Sequence, residues 1–164
     1  MNTKEQARST RISIPADARS RLAGLLNARL ADTTDYALAI KQSHWNVKGR
    51  QFIALHEMLD TMFADTVGWA DLMAERAVML GGQAKGTLQA AAAATTLPAF
   101  PVGATSMGDL LGALAASLGK LSADVRAAID ESAGLGDADT ADLFTEVSRG
   151  LDKQLWYLEA HLAD

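Results

Sequence analysis

Apolar side chains recur three and four residues apart through most of this chain, a spacing that gathers them on one side of an α-helix. The first such run, Leu22, Leu25, Leu26, Leu30, Tyr36 and Ile40, follows Pro15, which suits a first helical turn, and stops before Gly49. It predicts a helix over residues 15–47. A second run carries Phe52, Leu55, Leu59, Met62 and Phe63 and stops at Gly81 and Gly82, predicting a helix over 52–80. Between 83 and 105 the pattern weakens to an alanine tract at 90–94 and then Pro98 and Pro101. That stretch reads as a short helix near 87–95 and an irregular loop. Ser106, with Asp109 three residues on, forms a capping-box pair that opens a third long helix. Its Leu111, Leu114, Leu118, Leu121, Val125 and Ile129 repeat suits bundle packing, and Gly134 and Gly136 end it. The last long helix, over 138–162, presents Leu143, Val147, Leu151, Leu155, Leu158 and Leu162. Four amphipathic helices, with one longer connection between the second and third, predict an all-α four-helix bundle with a short extra helix in its crossover.

Composition sharpens this picture. A chain of 164 residues buries a substantial core without staples, and it contains no cysteine. Thiol redox chemistry and a disulfide framework are therefore excluded, and a reducing cytosol is the expected compartment. The first residues, MNTKEQARSTR, lack an apolar stretch of the signal-peptide kind, and no run approaches the ~20 apolar residues of a membrane span. Net charge is −5, unevenly placed: residues 1–21 carry five basic and two acidic side chains, residues 122–164 three and ten. So acidic a body repels nucleic acid, and any DNA contact would use the front end. We divide the chain into a flexible basic tail, 1–12, and a bundle domain, 13–164. Lys4, Arg8 and Arg11 in the tail are either a DNA-binding arm or a plain solubilising end.

The chemistry concentrates in His44, His56, Asp60, Asp71 and Glu75. Imidazole and carboxylate without thiolate is a ligand set for iron, manganese or zinc. His56 and Asp60 are four apart, as are Asp71 and Glu75, so each pair shares a helix face. Asp60 and Asp71 are eleven apart, close to three turns, which puts both pairs near one stripe but roughly 16 Å apart along the axis. Metal–ligand bonds of about 2.0–2.5 Å cannot span that distance. Two copies of the helix packed antiparallel about a two-fold near residue 65 remove the conflict. The His56/Asp60 end of one then faces the Asp71/Glu75 end of the other, giving two equivalent sites per dimer. His44 joins from the preceding helix, beyond the break at Gly49. The spacing thus predicts an intersubunit metal site. Lys41, one turn before His44, is placed to hydrogen-bond or charge-balance it.

The run KQSHWNVKGRQFIALHEMLD at 41–60, followed by DLMAERAVMLGG at 71–82, resembles the starvation-induced DNA-protection ferritins, the Dps family. The likeness extends from about Ser9 to the carboxyl end and includes SRGLDKQLWYLEAHL. A Glu-x-x-His pair, the in-bundle di-iron signature of ordinary ferritins, occurs nowhere in this chain. The resemblance implies a ferritin-like bundle in which His44, His56 and Asp60 of one subunit, with Asp71 and Glu75 of another, oxidise ferrous iron. It further implies a hollow twelve-subunit shell built from two-fold dimers, hydrogen peroxide as the preferred oxidant, and a ferric mineral stored inside. In such proteins tryptophans pack by the centre, here Trp45 and Trp156. The start of the last helix lines a three-fold pore, here Asp137, Asp139 and Asp142, although acidic residues there also suit the helix dipole alone. Glu57 would face the cavity. A DNA-binding, nucleoid-compacting role through the basic tail is the alternative function.

Other conspicuous residues read as structural. His161 has no acidic partner at metal spacing in its own helix. Asn46 and Gly49 terminate a helix, and Met58, Met62 and Met73 fill core. Arg76 is expected as an interface salt-bridge partner.

Overall fold

The structure, a computed structural model, describes residues 8–163. It contains four long helices and one short one: α1 (Ala16–Asn46), α2 (Phe52–Met79), α3 (Leu88–Ala94), α4 (Met107–Gly134) and α5 (Ala138–Leu162). The described residues include no strand. Every boundary falls within about a residue of the one read from periodicity and caps. The reason is local: each end carries its own stop. Gly81 (φ 91°) and Gly136 (φ 80°) take the left-handed conformation just past α2 and α4. Two backbone bonds close each end, Gly82 N–H to the Ala77 carbonyl and Gly81 to Val78, Asp137 to Ser132 and Gly136 to Ala133. That pairing is the Schellman arrangement, which satisfies the last carbonyls of a helix. At the other end of α4, Ser106 Oγ accepts from Asp109 N–H at 3.1 Å and donates to Asp109 Oδ2 at 2.7 Å.

The molecule is two antiparallel hairpins packed together. α1 lies along α2 and α4 along α5, while α1–α4 and α2–α5 contacts join the pairs. Tyr36, Phe144, Leu22, Leu26, Ile40, Leu55, Leu59, Met73, Leu110 and Leu111 are among the fully buried side chains between them. Met62 and Met73 fill core, and Met58 packs against its edge. At roughly 1.5–3 kcal/mol for each large apolar side chain removed from water, this core supplies the main drive for folding.

Residues 80–106 form the long connection from α2 to α4, with α3 laid against α1. A buried carboxylate anchors it. Asp32 of α1 is fully buried, pairs with Arg29 at 2.9 Å, and accepts from the Thr96 backbone N–H at 2.7 Å. Thr95 Oγ1 donates to neighbouring Asp35 at 2.8 Å. Nothing in the hydrophobic periodicity marks Asp32, because a polar residue on the buried face breaks the pattern.

Candidate metal centre

The α1–α2 hairpin brings the two histidines together. α1 ends at Asn46, Gly49 (φ 115°) turns the chain, and α2 starts at Phe52, so His44 and His56 lie opposite each other near the turn. Their rings stack with centroids 3.6 Å apart and planes 21° from parallel. Each ring is held by the other residue's backbone. His44 Nδ1 lies 2.9 Å from the His56 carbonyl, and His56 Nδ1 lies 3.1 Å from the His44 carbonyl. A carbonyl only accepts, so each Nδ1 donates its hydrogen and each Nε2 presents a lone pair. This reciprocal clasp selects the tautomer that ligates through Nε2.

Asp60, one turn after His56, completes a cluster whose ligand atoms lie within 4.8 Å of one another. Ligands at 2.0–2.5 Å around one ion lie at most about 4–5 Å apart, so three residues of a single chain suit one cation. His44 is buried, His56 half-buried and the Asp60 side chain 51% exposed, so the group opens to one side. Lys41 Nζ donates to Asp60 Oδ1 at 2.5 Å, and Asp60 Oδ1 sits 3.5 Å from His44 Nδ1. The Lys41 hydrogen bond is the chief reason the Asp60 carboxyl is held below the usual carboxylate range.

Asp71 and Glu75 stay apart from this group. Both are exposed on α2, and among the described residues no carboxylate besides Asp60 joins the histidines. Between the two acidic ends, α2 presents Ala64, Val67, Gly68 and Leu72 to solvent, with Val67 45% and Leu72 36% exposed. An apolar stripe thus separates the His56/Asp60 end from the Asp71/Glu75 end.

The expectation for Asp137 is corrected. Rather than standing open in a pore, it is 2% exposed and caps α5, accepting from Thr140 N–H at 3.2 Å and from the Thr140 hydroxyl. Arg76 Nη2 donates to both of its oxygens, at 2.8 and 2.9 Å, and Arg76 Nε donates to Thr140 at 2.9 Å. Burial alone would raise the Asp137 carboxyl, but the bonds from Thr140 and Arg76 outweigh it and hold the group below the usual range. Arg76 finds a partner within its own chain. The cap engages both oxygens of Asp137. Asp139, 86% exposed, lies 3.8 Å from Arg76 Nη2, and Asp142 is also exposed.

Trp45 and Trp156 are about two-thirds exposed, and Trp156 packs against Tyr157 with ring centroids 5.1 Å apart. Glu57 is exposed, and His161 Nδ1 bonds the Tyr157 carbonyl at 2.7 Å, closing the last turn of α5. Lys4 lies outside the described residues. Arg8 and Arg11 have exposed side chains, but the Arg8 backbone N–H donates to the Gly81 carbonyl at 2.8 Å, which docks the chain at that point. Sequence reasoning missed the clasp between the histidines and the Arg76–Asp137 clamp. The first had a signal: two histidines spaced about a hairpin turn. The second had none, since its partners are 61 residues apart.

Residues 23–164 match the ferritin-like domain family. The chain is 47% identical to the DNA protection during starvation protein of Agrobacterium fabrum, over 94% of this chain and 96% of that one. Among solved structures it superposes on DpsC from Streptomyces coelicolor with a TM-score of 0.94 and 30% identity, covering 98% of this chain and 94% of the other. For Mycobacterium smegmatis Dps the TM-score is 0.92, identity 31%, and coverage 97% and 96%. With two hairpins, a helix in the crossover and paired histidines at the α1–α2 turn, this chain belongs to the Dps family of ferritin-like proteins.

Proposed function

We propose that the chain is an iron-oxidising and iron-storing mini-ferritin whose oxidation centre is completed by a second copy. Membership in the Dps family supports iron storage and DNA protection as its general task. The observation that carries the finer reading is the split ligand set. His44, His56 and Asp60 converge in one chain, while Asp71 and Glu75 remain exposed beyond an apolar stripe on the same helix. An antiparallel two-fold through that stripe buries it and delivers Asp71 and Glu75 to the partner's histidines. Dimers of this kind would then assemble into a hollow shell of twelve.

Ferrous iron is the substrate. Imidazole Nε2 atoms and the Asp60 carboxylate bind it, and the partner's carboxylates favour the ferric product by adding negative charge. Two ferrous ions held in one pocket supply both electrons to one hydrogen peroxide. Two ferric ions form, the O–O bond breaks, and two protons are taken up to give two waters, with no hydroxyl radical released. Asp139 and Asp142, exposed at the start of α5, would draw cations inward through a pore. DNA protection, the function named in the Agrobacterium relative, follows from consuming iron and peroxide together and needs no DNA contact.

The test is ferrous oxidation followed by stopped-flow with peroxide as oxidant, alongside gel filtration. The double substitution His44→Ala and His56→Ala abolishes peroxide-driven oxidation while the assembly elutes unchanged. Wild-type rates in that variant refute the assignment.

A further inference from the structure

The seam between α2 and α5 is looser than those within the two hairpins, and a few large side chains bridge it. Trp69 of α2 reaches onto Gly150 of α5, where a Cβ would overlap the indole. Further along the seam, Gln154 of α5 is 2% exposed and donates through Nε2 to the Met62 carbonyl at 3.1 Å. Thr66 donates to the same carbonyl at 2.7 Å. A cleft of about 430 Å³ stays open along these bridges, lined by Trp69, Gly150 and Gln154 among others. It lies on another face of α2 from the metal centre. Asp65 and Trp69, both on its lining, each follow an exposed residue of the apolar stripe, Ala64 and Gly68, by one position. One position is about 100° round a helix.

The lining suits a cation that carries N–H groups. Asp65 and Glu146 bring two exposed carboxylates, and Trp69 and Tyr157 bring aromatic rings. Lys153 Nζ lies 5.7 Å from the Tyr157 ring centroid, so that face already attracts an ammonium, and Lys153 competes for it. Gln154 adds an independent demand. Its Oε1 is buried with no hydrogen-bond donor, and a buried acceptor left unpaired is costly, so a ligand N–H is favoured there. Spacing then selects a long molecule. The two helices run antiparallel with Trp69 level with Gly150. Asp65 stands one turn to one side of that level and Glu146 one turn to the other, which sets them on the order of 10 Å apart along the axes. A single metal ion, with ligand bonds of about 2.0–2.5 Å, cannot span that gap. A linear chain with an amine at each end can. The volume falls within the usual ~300–1,000 Å³ of small-ligand sites.

We infer that the α2–α5 cleft binds a linear aliphatic polyamine, its end ammonium groups on Asp65 and Glu146 and its stem along the aromatic rings between them. The site is separate from the iron centre, so its test needs no oxidation assay. Calorimetric titration of the full-length assembly at fixed ionic strength uses spermidine, the shorter diamine putrescine and magnesium chloride as separate probes. Saturable binding of spermidine is expected, tighter than that of either other probe. Asp65→Asn and Glu146→Gln should each weaken it about tenfold, while Asp130→Asn, an exposed acid on α4, should leave it unchanged. A melting curve of each variant checks that it still folds, and should one of the two cleft variants fail, the other decides the matter. Absence of saturable spermidine binding, or affinities that neither cleft variant lowers, overturns the site. An equal loss in Asp130→Asn, or magnesium bound as tightly as spermidine, also overturns it, since an acidic surface alone would then account for the signal. Putrescine bound as tightly as spermidine denies the span between the two carboxylates and overturns it as well.

Discussion

At the scale of single residues, the chemistry rests on how polar atoms are partnered. The His44 and His56 side chains share donors and acceptors with each other's backbone, so each Nε2 lone pair is set before any cation arrives. Loss of a single ligand, His56→Ala, is expected to slow ferrous oxidation at least about a hundredfold, read from the stopped-flow rate of ferric product formation. The residue types in this cluster were legible in sequence, since helical spacing alone brings His56 and Asp60 together. The fate of Asp137 was not. A carboxylate at a helix start looks the same in sequence whether it faces a channel or an arginine, and Arg76 decides it from another helix. Asp137→Asn should therefore cost about 2–4 kcal/mol at neutral pH, measured by urea unfolding. The sign with pH follows from the lowered carboxyl. Its stabilisation is complete above the ordinary carboxylate range and disappears as pH falls through the lower folded value. The wild type and Asp137→Asn curves should accordingly converge in strong acid. A difference that widens on acidification would contradict the clamp.

Among elements, helices were the readable part and their connection the unreadable part. Ends could be placed because Ser106, Gly81 and Gly136 encode caps within a few residues of themselves. Replacing Ser106 by Ala should cost about 1 kcal/mol, visible as a modest shift of the urea midpoint. The crossover depends instead on contacts 60 or more residues distant, with Asp32 and Asp35 holding Thr95 and Thr96. Asp32→Ala leaves Arg29 with a lost partner in a mostly buried position and frees the strap after α3. A loss of about 3 kcal/mol is expected, with faster hydrogen exchange concentrated at residues 95–97. Uniform exchange across all helices would indicate that Asp32 anchors something other than the crossover.

For the whole molecule, the decisive feature is that one chain gathers His44, His56 and Asp60 and leaves Asp71 and Glu75 exposed further along α2. The apolar positions between them locate the surface where a second copy should dock. A charge placed there, Val67→Asp with Leu72→Asp, should release monomers in sedimentation and abolish oxidation together, with helical circular dichroism unchanged. Complementation makes a stricter test. A His44→Ala/His56→Ala chain and an Asp71→Ala/Glu75→Ala chain are each expected to be inactive alone. Refolded together they should recover about a quarter of wild-type activity, since half of randomly paired dimers are mixed and each restores one of two sites. A mixture as inactive as its parents would place the ligands within one subunit.

Periodicity, caps and glycine stops are local, and they determined the number, length and order of the helices from the chain alone. Helical spacing likewise determined which acids and histidines share a face, and the mismatch between an 11-residue separation and a metal–ligand bond is the ground for proposing a second copy. Tertiary structure decided what local rules cannot reach. It set the histidine tautomers through a clasp across the hairpin, buried Asp137 against Arg76, and seated the crossover on Asp32. It also docked the Arg8 backbone on the Gly81 carbonyl. Each of these depends on polar partners far apart in sequence, whose energies arise only when two helices pack, and no window along the chain contains both.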